Sequence, residues 1–257
     1  MSLIDLTYPI HEGMFKYPSD AEPDINIIPA KIEEHEQVIY DESGCSSGAG
    51  VIDEKYKSGY VELKIRTHHG THIDFPAHKI PGGKTSDDYE ISKFINSAKL
   101  VDLSLIYTDS SIIQEIDLED IKESVDKSEG FRALVFYTGF CDRMTKNEGK
   151  LLGETKKRFE KTFPYFSQEA AEYIAKKCAG LNIVGIDSFA VDPSGSNSEV
   201  HRTFFEKDIL PLEAIVNLRN LKKALNYPLN ISFELNCVPL PYKGADAAQT
   251  RAYAVIK

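Results

Sequence analysis

The stretch Tyr60-Val61-Glu62-Leu63-Lys64-Ile65-Arg66-Thr67-His68-His69-Gly70-Thr71-His72-Ile73-Asp74-Phe75-Pro76-Ala77-His78 governs how the rest of this chain is read. From Tyr60 to Arg66 apolar and polar side chains alternate. Val61, Leu63 and Ile65 would point one way and Glu62, Lys64 and Arg66 the other, which predicts a half-buried strand. Directly after it come four of the chain's seven histidines, with an aspartate among them. Gly70 and Pro76 disfavour a regular helix there. His68, His72, Asp74 and His78 are separated by even numbers, and in extended chain even spacing puts side chains on one face.

Working outward, Ala98 to Leu103 and Ala133 to Tyr137 read as further short strands. Asp117 can cap a helix, with an acid three residues on at Asp120. Ser167 can cap a second helix whose apolar stripe is Ala170, Ala171, Ile174 and Ala175, and Gly180 can end it. Leu181 to Ile186 predicts a buried strand. Ile231, Phe233, Leu235 and Cys237 alternate with polar or small residues as another strand, and Thr250 to Ile256 is expected to be the last. Strands outnumber helices and the two are interleaved, so the expected fold class is α/β, mixed α+β, in one domain spanning residues 1–257 with an extensive sheet. Residues 41–59, rich in Ser and Gly and then charged, lack periodicity and are expected to form a long loop or insertion.

Composition narrows the function. The net charge is −10, which disfavours nucleic acid as a partner, because binding phosphates needs a basic surface. No apolar run has the roughly eighteen residues of a membrane-spanning helix. The N-terminal Met1-Ser2-Leu3-Ile4-Asp5-Leu6 lacks the apolar stretch of a signal peptide, so a cytoplasmic location is expected. Cys45, Cys141, Cys178 and Cys237 are scattered without a CxxC pair, which reads as free thiols and excludes a zinc knuckle.

The chemistry concentrates in the histidine segment. Imidazole nitrogens and a carboxylate suit zinc, manganese or iron at neutral pH. His68, His72 and Asp74 would leave coordination positions open for water, as a catalytic site requires. His78 then stands beside the metal as the proton-transfer group. A lone histidine is usually an ordinary surface or core residue, but this density with an aspartate points to a metal or catalytic site. His69 falls on the opposite parity and is read as structural. A second segment, Gly185-Ile186-Asp187-Ser188, leads through Asp192-Pro193 to His201 and on to Glu213. On the residues alone, His201 and Glu213 carry little signal.

The string His68-x-x-x-His72-x-Asp74-x-Pro76-x-His78 resembles the signature of the cyclase-like metal-dependent hydrolases, a family that includes bacterial kynurenine formamidase and isatin hydrolase. The resemblance runs through Asp5-Leu6-Thr7-x-Pro9-Ile10, Tyr17-Pro18, Thr138-Gly139-Phe140, Phe163-Pro164 and Asp192-Pro193, and closes over Pro239-Leu240-Pro241 to Arg251. It implies a swivelling β/β/α-type fold, a curved mixed sheet with outer helices. It implies one or two divalent ions, zinc or manganese. His68, His72 and Asp74 would hold the first; Asp74 would bridge to the second, His201 would bind the second, and Glu213 would be shared by both. His78 would be the proton donor and acceptor. Tyr17 falls where formamidases carry a substrate-contacting tryptophan, and this chain has no tryptophan. The implied partner is a small-molecule substrate, and the implied assembly is a homodimer or larger homo-oligomer. The expected reaction is hydrolysis of an amide, formamide or lactam bond in a small aromatic substrate, as an arylformamidase-like enzyme performs. A metal-dependent lyase or dehydrating cyclase is the enzymatic rival, and a non-catalytic metal-binding protein the other. The free histidine at position 78 argues against the latter.

Overall fold

The computed structural model of the protein describes residues 1–37, 51–107 and 115–257. The strands, in chain order, are β1 (Ser2–Asp5), β2 (Asp24–Ile28), β3 (Lys31–Gln37), β4 (Val51–Lys57), β5 (Tyr60–Lys64), β6 (His72–Asp74), β7 (Ile95–Asp102), β8 (Glu115–Ile116), β9 (Ala133–Tyr137), β10 (Tyr165–Phe166), β11 (Ile183–Ile186), β12 (Leu210–Glu213), β13 (Ser232–Asn236), β14 (Ala247–Gln249) and β15 (Tyr253–Ile256). The helices are α1 (Leu118–Asp126), α2 (Phe140–Asn147), α3 (Gly153–Glu160), α4 (Gln168–Lys177), α5 (Glu199–Phe205) and α6 (Leu218–Ala224). The contacts group the chain into two compact units: Met1–Glu22 with Arg66–Lys257, and Pro23–Ile65.

The larger unit is built on a nine-stranded mixed sheet in the order β1-β15-β13-β7-β9-β11-β12-β6-β14. Its centre, β7-β9-β11-β12, is parallel, and the flanks are antiparallel. A parallel centre must be covered on both faces, so its strands read as continuous apolar runs. In β9 every residue is buried. Ala133, Val135 and Tyr137 enter one apolar cluster with Ile73, Phe75, Leu212 and Ile215. Leu134 and Phe136 enter the other, with Ile121, Ala170, Ile174 and Phe204 from α1, α4 and α5. Each fully buried side chain of this size contributes roughly 1.5–3 kcal/mol.

The helix signals in the sequence have structural counterparts. Asp117 and Asp120 form a capping box at the start of α1. Ser167 Oγ accepts the Ala170 N–H at the start of α4, and Ala170, Ala171 and Ile174 face the core. The expected strands at Ala98, Ala133, Leu181, Ile231 and Thr250 correspond to β7, β9, β11, β13 and β15. The fold class is the expected mixed α/β type. Cys141, Cys178 and Cys237 are buried free thiols, and Cys45 lies outside the described residues. Among the described residues no helix is long and apolar enough to cross a membrane.

The smaller unit corrects two expectations. The Tyr60–Arg66 alternation does form a strand, β5, but the strand is not half-buried. Val61 and Leu63 are 51% and 58% exposed. Among the described residues β5 pairs with β2 alone, in a two-stranded ribbon. A ribbon has no second layer of its own to bury a face against, so alternation alone cannot make it half-buried. The long loop expected at 41–59 is part strand, because Val51–Lys57 pairs antiparallel with Lys31–Gln37. The remainder of that stretch, through residue 50, lies outside the described residues. Backbone pairing rather than apolar periodicity orders β4, and pairing leaves no periodic trace to read.

Candidate metal centre

The histidine segment is not one extended face. His68 lies within a turn, only His72–Asp74 is strand, and Pro76–His78 is a single 3₁₀ turn. The shared-face reading from even spacing is therefore corrected: turns converge these side chains, not the two-residue period. Gly70 supplies one such turn at φ +71, where a Cβ would sit 2.8 Å from the Tyr8 carbonyl oxygen. Thr71 locks the turn to its neighbours, accepting the Tyr8 N–H at 2.7 Å and donating to the Ala214 carbonyl at 2.7 Å.

Sheet register brings the distant residues in. β6 lies antiparallel to β12 with His72 opposite Glu213, and β14 lies on its other side with Ala247 opposite Asp74. Glu213 ends a parallel strand, at the edge where α/β sheets place their ligands. Ala214 follows it at φ +53, a left-handed conformation that a non-glycine residue holds only against strain. The loop after β11 carries Asp192, which accepts the Val200 and His201 N–H groups at the start of α5 and delivers His201 to the site.

The ring nitrogens are assigned by their outer partners. His72 Nδ1 lies 2.9 Å from the Gly70 carbonyl, to which it donates, so its Nε2 turns inward with a lone pair. His68 Nε2 lies 3.1 Å from Asp246 Oδ2, which leaves Nδ1 inward. His201 Nδ1 donates to Asp192, which leaves Nε2 inward. Inside, His68 Nδ1 and His72 Nε2 stand 3.0 and 3.2 Å from Asp74 Oδ1. His201 Nε2 stands 3.0 Å from Asp74 Oδ2 and 3.5 Å from Glu213 Oε1. His72 Nε2 is 3.5 Å from Glu213 Oε2. His78 Nε2 is 3.9 Å from Asp74 Oδ2. Ligand atoms of His72, Asp74 and Glu213 lie within 4.8 Å of one another, as do those of His68, Asp74 and His78.

Asp74 Oδ1 is buried and accepts no hydrogen bond, although two ring nitrogens face it. A buried carboxylate oxygen without a donor is costly. Lone-pair nitrogens gathered around it are the donor set of a divalent cation, and the residues fit one. Without a metal the same nitrogens are held protonated instead. Burial opposes charge on His68 and His72, but the Asp74 carboxylate outweighs it, helped by Asp246 at His68 and Glu213 at His72, and raises them to about 9 and about 10. Burial likewise opposes the charge of Asp74, yet the surrounding histidines hold it well below the usual carboxylate range.

His68, Asp74, His78, His201 and Glu213 open onto a cavity of about 350 Å³, lined also by Tyr17, Asp20, Arg66, Lys79 and Phe189. Tyr17 is half-buried against Phe163, ring centroids 5.8 Å apart. Phe75 is a core residue packed on Phe94 and Tyr89. His69, read as structural, is buried and accepts the Arg66 N–H at Nδ1. The structure thus sets His68, Asp74, His78, His201, Glu213 and Tyr17 around one cavity, with His72 buried against Asp74 and Glu213. Two residues were given no site role from the sequence: Asp192, which accepts from His201 Nδ1, and Asp246, which touches His68 and His78. Asp246 had no local signal, since it stands alone in a Gly244-Ala245-Asp246 turn.

Several known proteins are similar to this chain. Kynurenine formamidase of Geobacillus thermodenitrificans is 30% identical over 205 residues, covering 77% of this chain and 82% of its own. Cyclase-like protein 1 of Arabidopsis thaliana is 26% identical over 199 residues, 76% of this chain and 68% of its own. Isatin hydrolase A from Ralstonia solanacearum superposes with a TM-score of 0.65 at 18% identity, over 100% of this chain and 92% of its own, and so shares the fold. The Cyclase family model matches residues 4–193, and the chain accordingly belongs to the cyclase family.

Proposed function

We propose that this chain is a metal-dependent hydrolase that opens an amide, formamide or lactam bond in a small aromatic substrate. The carrying observation is the buried Asp74 Oδ1, which accepts no hydrogen bond while the inward nitrogens of His68 and His72 face it. The relationship to kynurenine formamidase supports the substrate class. His68, His72 and Asp74 would hold one divalent ion, zinc or manganese, and Asp74, His201 and Glu213 a second. A divalent ion there supplies an acidified water and polarises the substrate carbonyl. His78 Nε2 takes the proton released as water attacks and passes it to the departing nitrogen, so its ring ends the cycle as it began. Tyr17 and Phe189 form the cavity wall on which an aryl ring would rest. The expected location is cytoplasmic and the expected assembly a homodimer or larger.

The test is a panel of N-formyl arylamines, isatins and simple esters with product mass measured on metal-loaded protein. Gain of one water supports hydrolysis. Loss of one water would instead identify a dehydrating cyclase, and no change on any substrate would favour a binding protein.

A further inference from the structure

Asp246, a carboxylate lining the cavity, is set against two histidine rings at once. It lies outside the residues that the family model matches. Its Oδ2 stands 3.1 Å from His68 Nε2 and 3.1 Å from His78 Nδ1, and its Oδ1 accepts the Thr67 hydroxyl at 3.1 Å. Its backbone is held too, since the Asp246 carbonyl accepts the Phe75 N–H at 2.9 Å and Ala247 begins the strand paired to β6.

We propose that Asp246 is a positioning residue that sets the tautomers of His68 and His78 together, and thereby aims one nitrogen of each into the site. An ionised carboxylate can only accept hydrogen bonds. Both nitrogens that face it must therefore carry hydrogen. With its ring neutral, as metal binding requires, His68 is left with its lone pair on Nδ1, 3.0 Å from Asp74 Oδ1. His78 is left with its lone pair on Nε2, 3.9 Å from Asp74 Oδ2. The two rings lie with centroids 4.3 Å apart, so an error in one would crowd the other. One acceptor oxygen shared by both rings ties the geometry of the ligand to that of the proton carrier. This inference rests on the proposed roles of His68 and His78.

The experiment compares Asp246→Asn and Asp246→Ala in the full zinc-loaded chain, with His68→Ala and His78→Ala in parallel. Three quantities are measured: zinc affinity by competition with a chelator, kcat and KM on an aryl formamide, and the His78 ring tautomer by nitrogen-15 NMR. Outer partners of metal-binding histidines are typically worth about 10- to 100-fold in affinity or activity. Asp246→Ala is expected to weaken zinc and lower kcat by factors of that size, with KM little changed. The His78 signal should move from the Nδ1–H to the Nε2–H form. Asp246→Asn, whose carbonyl can still accept one of the two N–H groups, should fall between wild type and alanine. If Asp246→Ala does not fold, the near-isosteric asparagine variant carries the same three measurements. Unchanged zinc affinity and an unchanged His78 tautomer would overturn the proposal. If His68→Ala and His78→Ala also retain wild-type zinc affinity and rate, the functional reading itself fails. If they lose those properties while the Asp246 variants do not, only the role of Asp246 is overturned.

Discussion

His78 shares Asp246 with His68 but keeps its Nε2 3.9 Å from Asp74, close enough that a proton carrier and a metal ligand must be told apart by measurement. As a proton carrier, His78→Ala should retain metal and fold while kcat falls by about 100- to 10,000-fold. The loss should be smaller on an activated aryl ester, whose leaving group needs no proton. Lost metal with recovery on added metal would make His78 a ligand instead. Tyr17 raises a parallel question, because it lines the cavity and also packs on Phe163. Tyr17→Ala should raise KM for an aryl substrate with kcat nearly unchanged, the signature of binding that is equal in ground and transition states. A fall in melting temperature with KM unchanged would make it a core residue. At this scale the sequence was informative wherever chemistry is dense. Four histidines and an aspartate in so short a stretch are legible, whereas Asp246 is one acid among many until the fold sets it against two rings.

Helices were legible because their ends carry local chemistry. Ser167 caps α4 with its own side chain, a bond that depends only on residues three positions apart. Ser167→Ala should cost about 1 kcal/mol of stability, read as a lower urea midpoint with kcat unchanged, since α4 packs in the cluster with α1 and α5 and does not line the cavity. A matching loss of kcat would mean that α4 positions the site. The strand β5 shows the opposite case. Alternation at Val61 and Leu63 correctly indicated extended chain, but burial of one face requires a second layer, and the ribbon it forms with β2 has none of its own. The histidine segment failed in a third way. Even spacing implies a shared face only in an unbroken strand, and the turn at Gly70 and the 3₁₀ turn at Pro76 break it.

For the whole molecule, the proposed centre couples metal, protons and stability. In the metal-free protein His68 and His72 are raised to about 9 and about 10, above the roughly 6.5 of an unfolded histidine. Their contribution to stability is therefore fully present below about pH 6.5 and is lost as pH rises through those two values. Metal reverses the sign. Ligand nitrogens must shed protons to bind it, so affinity should rise with pH over the same window. The rise in melting temperature on adding zinc should accordingly grow from pH 6 to pH 9, taking about these limits as the working range. A metal-induced shift that is constant across that range would remove His68 and His72 from the ligand set.

What the sequence determined by itself was what local spacing encodes. Capped helices, apolar strands of the parallel centre, and the residue types of a metal site all lie within a few positions of one another. Family resemblance extended this to His201 and Glu213. The tertiary structure alone decided which strands are buried and which distant acids complete the site. His72 meets Glu213 because β6 and β12 pair in that register. Asp246 reaches His68 and His78 because β14 pairs on the other side of β6. Register is set by long-range backbone pairing and core packing, neither of which leaves a mark in the residues immediately around an isolated acid.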